Sequence, residues 1–119
     1  MLAIAALVVV GHLAGLAPLP PLPMGTWACA LSGEFVGTLS VEGPRYLFTS
    51  AATDEAEAGA LAMANARLGR GSRAGLVRVW SGPLKDTFGV SLGLYNRGAE
   101  PETLVFNIGP GKGLNCLPA

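Results

Sequence analysis

The chain predicts a mainly β fold: a small antiparallel β-barrel of seven or eight short strands, with a two-sheet sandwich as the alternative. Three observations lead there. From Thr26 onward, apolar residues alternate with small or polar ones in short runs. Turn pairs such as Ser32-Gly33, Gly43-Pro44 and Gly82-Pro83 separate these runs at fairly regular spacing. Gly37, Gly89 and Gly93 lie inside apolar runs, where a small closed sheet coils tightly. A barrel is preferred to a sandwich because closure removes the edges that invite pairing with other chains.

The 119 residues make one small domain. Half of them are apolar but only 7% are aromatic, so Val, Leu and Ala must supply most of the core. All eight basic and eight acidic residues lie at or after Glu34, and their charges cancel. That balance offers no electrostatic footprint for nucleic acid or an anionic membrane.

The uncharged N-terminus is a separate unit. Met1–Ala17 is an apolar run, expected to be helical, short for a transmembrane span and interrupted by Gly11, His12 and Gly15. It has the character of a secretory signal peptide, with an uncleaved membrane anchor as the alternative. No Lys or Arg precedes it, and Pro18 follows the small residues Gly15 and Ala17 that would suit cleavage. Residues 18–25 form a Pro-rich spacer, and the barrel domain occupies residues 26–119. The expected location is therefore exported, periplasmic or extracellular, with membrane contact only through the N-terminal segment.

The strands follow in order. In the first, Trp27, Cys29 and Leu31 share a face. In the second, Phe35, Gly37, Leu39 and Val41 do so, and in the third Tyr46 and Phe48. Residues 54–68 are ambiguous. Asp54 with Glu57 three residues on fits a helix start, and Gly69 fits its end; Leu61 and Met63 equally fit a strand face. A short helix there and an extra strand both remain open. Val77 and Val79 share a face in the next run, with Trp80 on the other side or on a bulge. Residues 86–96 show the clearest alternation, with Phe88, Val90, Leu92 and Leu94 expected inward. Leu104, Phe106 and Ile108 face inward next, and Leu114 and Cys116 close the chain.

The cysteines bear on both compartment and architecture. Cys29 and Cys116 are the two in the chain. In an exported domain such a pair forms a disulfide, worth about 4 kcal/mol in the chain-entropy model for so long a loop. Lipidation of Cys29 is the alternative, although Trp27 is bulky for a lipidation motif. If the barrel closes on itself, residues 27–31 and 113–117 should be neighbours.

The chemistry-bearing residues exclude more than they suggest. His12 is the sole histidine and lies in the leader, so the domain has neither Ser-His-Asp or Cys-His catalysis nor a histidine metal site. Gly109–Gly113 (GPGKG) lacks the glycine spacing and the following Ser/Thr of a phosphate loop and reads as a turn. Glu100 and Glu102, or Asp54, Glu55 and Glu57, are candidates for a carboxylate-dependent hydrolase, but solvated surface acids account for them as well. No cofactor and no metal is expected. The candidate binding residues are Trp80, Ser81 and Lys85 in the run Val79–Asp86, and Arg67, Arg70 and Arg73 spaced three apart as a small basic patch.

The layout also resembles a known family. It has an aromatic–x–Cys in the first strand (Trp27–Cys29), a Gly-Thr-Leu strand (Gly37–Leu39), an aromatic–x–Phe strand (Tyr46–Phe48), the Ser81-Gly82-Pro83 turn and a final Cys116. In this plan it is similar to periplasmic lysozyme inhibitors of the membrane-bound, C-type class. That resemblance implies a compact barrel with bridged terminal cysteines and an inhibitory loop carrying an aromatic and serines. Trp80-Ser81-Gly82-Pro83 matches that loop only in part, lacking its second serine. The function expected is a non-enzymatic exported binding domain of the bacterial envelope, inhibitor-like, with a secreted or periplasmic protein as partner. The alternatives are lipocalin-like binding of a small apolar ligand and the carboxylate hydrolase.

Overall fold

Each strand pairs antiparallel with the next in sequence, and the last strand pairs with the first. The computed structural model describes residues 22–64 and 74–119. Among them are β1 (Gly25–Leu31), β2 (Glu34–Glu42), β3 (Arg45–Ser50), β4 (Ala56–Met63), β5 (Ala74–Ser81), a helical turn α1 (Pro83–Asp86), β6 (Leu92–Asn96), β7 (Thr103–Gly109) and β8 (Lys112–Pro118). The eight described strands form a closed, up-and-down antiparallel barrel. Residues 1–17, the first half of the spacer (18–21), and Arg67, Arg70 and Arg73 lie outside the described residues.

Turn chemistry makes the hairpins. Ser32 and Gly33 both have positive φ, the requirement of a two-residue turn that matches the twist of its strands. Pro110 followed by Gly111 at φ +71° makes the turn between β7 and β8, as expected for GPGKG. Residues 56–63 are strand β4, which decides the ambiguous segment for as far as it is described: the helix alternative gives way to the strand. Its β propensity is low, yet it pairs with both β3 and β5, so tertiary pairing outweighs the local helix-like pattern.

The closing seam sets Cys29 directly opposite Cys116 in the β1–β8 ladder. The two are bonded, with Cα atoms 4.0 Å apart, and both side chains are buried. Residues 27–31 pair with 114–118, as barrel closure requires.

Large rings and glycines alternate inside. Gly59 stands opposite Tyr46, and Gly93 opposite Phe106. A side chain on Gly93 would meet the Phe106 ring at 2.5 Å, and one on Gly37 would meet Phe48 at 2.5 Å. Each ring fills space its glycine leaves. Trp27, Tyr46, Phe48, Phe106, the disulfide and the aliphatic residues Leu39, Leu61, Val77, Val79, Leu104 and Leu114 make one buried cluster. A barrel of this size is packed by its own side chains.

The second half of the 86–96 run departs from expectation. Val90 is buried as predicted, but Leu92 and Leu94 face outward, 42% and 40% exposed, while Gly93 and Tyr95 face inward. Residues 83–91 are no strand: α1 and the segment after it fold over the barrel end, and only Leu92–Asn96 joins the sheet. The inward parity is set by Phe106, whose ring needs a glycine opposite. Phe35 likewise is 53% exposed, not inward. The β1–β2 register shifts between Cys29 and Ala30, which pair with Gly37 and Phe35, and this bulge carries the end of β2 off the inner face.

Candidate functional site

Trp80 owes its position to a bulge. Ala60 pairs with Ser81 and Leu61 with Val79, so one step on β4 matches two on β5 and Trp80 is the extra residue. Val79 points inward and Trp80 outward, 54% exposed. Arg78, two residues earlier on the same outer face, lays its guanidinium over the indole, 4.8 Å from the ring centroid. Lys85 of α1 and Ser91 complete a shallow depression of about 250 Å³ with these residues. Lys85 has no ion-pair partner among the described residues.

The scaffold beneath is stiff. Gly82 at φ +93° turns the chain out of β5, and Pro83 opens α1 with its φ already suited to a helix. The Gly82 carbonyl accepts from the N–H groups of Lys85 (3.1 Å) and Asp86 (2.9 Å). Leu84 is wholly buried and plugs the barrel end. Tyr46 reaches across the interior to hold this corner: its hydroxyl donates to the Ser81 carbonyl (2.7 Å) and accepts from the Leu84 N–H (3.0 Å). Burial pushes the Tyr46 hydroxyl up to about 12, so it remains a donor across the ordinary pH range.

The structure thus brings Trp80 and Lys85 together and adds Arg78 and Ser91, which the sequence reasoning did not single out. Arg78 was legible by parity, since it shares a strand face with Trp80. Ser81 is exposed, but its Oγ accepts the Ala60 N–H (3.1 Å) and closes the bulge. The Ser81–Asp86 turn does not stand away from the body as a free loop, because Pro83 and Leu84 are buried. Arg67, Arg70 and Arg73 cannot be joined to this face, as they fall outside the described residues.

The carboxylates lie elsewhere. Glu102 accepts a hydrogen bond from the Tyr95 hydroxyl (2.9 Å). Tyr95 in turn stands edge-on to Trp27, whose indole N–H donates to the Pro23 carbonyl (2.9 Å). Among the described residues no three His, Cys, Asp or Glu side chains group as metal ligands would. No protein-family model, curated protein or solved structure matches the chain at a significant level.

Proposed function

We propose that the domain is a non-enzymatic, exported binding module of the bacterial envelope. Its Arg78–Trp80–Lys85 face docks into an acidic cleft of a secreted or periplasmic protein, in the manner of an inhibitor. The observation that carries this reading is the outward Trp80, raised on a bulge beneath Arg78 and beside Lys85. Trp and Arg are the residues that most often dominate protein interfaces. A rigid platform lowers the ordering cost of binding, and Tyr46, Leu84 and the bulge supply one. The disulfide is consistent with an oxidising, exported compartment. The filled interior weighs against a lipocalin-like ligand inside the barrel. Glu102 is engaged by the Tyr95 hydroxyl, which weighs against it as the carboxylate of the hydrolase reading.

A lysozyme is the natural first probe, since its cleft holds two carboxylates and the chain's layout is similar to lysozyme inhibitors. The oxidised full chain is expected to inhibit lysozyme with a potency that falls as salt rises, because Arg78 and Lys85 steer the encounter. Absence of both binding and inhibition at low ionic strength would contradict the assignment of this partner class.

A further inference from the structure

The net charge of zero conceals an acidic end. The β1–β2, β3–β4 and β7–β8 turns and α1 lie at one end of the barrel. Among the described residues that end holds Glu34, Asp54, Glu55, Glu57 and Asp86 against Lys85 and Lys112. Two depressions meet there over Ser50 and Phe88. One, of about 210 Å³, lies between β4 and α1 and is lined in part by Phe48, Phe88, Glu55, Glu57 and Thr87. The other runs across Phe88 to Phe35 and Glu34.

The first depression exists because the sheet opens at this point. The β4–β5 ladder ends at Ala60–Ser81, so Ala56–Gly59 have no ladder partner on β5 and α1 stands in that place. The rings of Phe48 and Phe88 meet edge to face, 5.4 Å between centroids, and form its floor. Glu57 stands opposite the buried Phe48 in the β3–β4 ladder. Residues directly opposed in a ladder share a face, so the Glu57 side chain leaves β4 on the inner side, at the mouth. Glu55, just before β4, lines the same depression. No basic side chain lines either depression, and neither carboxylate has an ion-pair partner among the described residues.

We propose that this mouth is a second binding site, for a small organic cation: an ammonium group carried on an apolar body. The apolar body packs on the Phe48 and Phe88 rings, whose faces also attract the cation, and the charge sits between Glu55 and Glu57. The site is separate from the Trp80 face and does not depend on it.

The test is a titration of the full, oxidised chain with benzyltrimethylammonium, followed by backbone amide NMR shifts. Benzyl alcohol and phenylmethanesulfonate serve as neutral and anionic counterparts. The cation is expected to saturate in the low-millimolar range, moving the amides of Ser50, Thr53, Thr87 and Phe88. The two counterparts should bind at least about tenfold more weakly. The double variant Glu55→Gln/Glu57→Gln, exposed and without partners to lose, should weaken the cation at least about fivefold while leaving the spectrum otherwise native. Equal binding of benzyl alcohol, shifts centred on Arg78 and Trp80, or no saturation would overturn the proposal. So would ligand-free shifts at the mouth that grow with protein concentration, which would mean that a second copy fills the groove.

Discussion

Tyr46 does its work only while it keeps its proton. Its hydroxyl ties β3 to the end of β5 and to α1, and burial raises its pKa from 10.0 to about 12. A raised acid pKa means the fold favours the neutral form. The stabilisation is therefore complete below pH 10 and lost as pH climbs through about 12. Tyr95 behaves alike: burial first, then the hydrogen bond and charge of Glu102, lift it to about 12. Stability measured by urea titration should hold level up to about pH 10 and fall steeply above it. Tyr46→Phe should cost about 1–3 kcal/mol at neutral pH, because the Leu84 N–H and Ser81 carbonyl lose their partner, and should flatten the alkaline fall. The inner glycines make a second residue-scale case. Gly93→Ala drives a methyl into the Phe106 ring and should cost about 1–3 kcal/mol. Gly109→Ala meets nothing within 4 Å and should change stability by about 0.5 kcal/mol or less. Thermal melts of the pair separate crowding from loss of glycine as such.

The element scale is where the proposed binding face is built, from a bulge in β5 and a four-residue helical turn. Trp80 points away from the core, so Trp80→Ala should leave the melting temperature almost unchanged. Leu84→Ala should cost about 2–5 kcal/mol by opening a cavity at the barrel end, and should loosen Lys85 from Trp80. Much of this was legible in the sequence. Alternation in Trp27–Leu31, Tyr46–Phe48, Val77–Val79 and Leu104–Phe106 marks the inner faces, because a strand facing a core must alternate. Phe88–Leu94 misled because one unbroken alternation spans two structures. The chain leaves the sheet at Gly82, covers the barrel end and re-enters with the opposite parity. The signal against one long strand was Tyr95, an aromatic sharing parity with Gly93, in a protein whose other inner strands also set a ring beside a glycine. At the candidate site, Trp80, Lys85 and, by strand parity, Arg78 could be read locally, but Ser91 and the approach of Lys85 to the indole required the fold. The mouth groove was not legible at all, since it gathers Glu34, Phe48, Glu55, Glu57 and Phe88 from three hairpins.

At the scale of the whole molecule, barrel closure organises everything else. The Cys29–Cys116 bond sits inside the seam between the first and last strands, spanning 87 residues of sequence. It restrains the unfolded chain, and the double variant Cys29→Ala/Cys116→Ala should lose about 2–5 kcal/mol, read from denaturant midpoints. With β1 and β8 paired along five residues, the variant's circular dichroism should still report a β fold where it remains stable. The wall is closed except along Ala56–Gly59 of β4, where α1 stands in place of β5, so the proposed recognition falls to side chains on the outer wall or at the barrel ends. The Arg78–Trp80–Lys85 face has the chemistry of an interface anchor. The direct measurement is calorimetric titration of lysozyme with the oxidised full chain and with Trp80→Ala, at one low ionic strength. Saturable binding by the parent chain is expected, with a loss of about thirtyfold or more in Trp80→Ala and both chains melting alike. Equal affinity for the two chains, or no heat of binding from the parent chain, would contradict the proposed binding face.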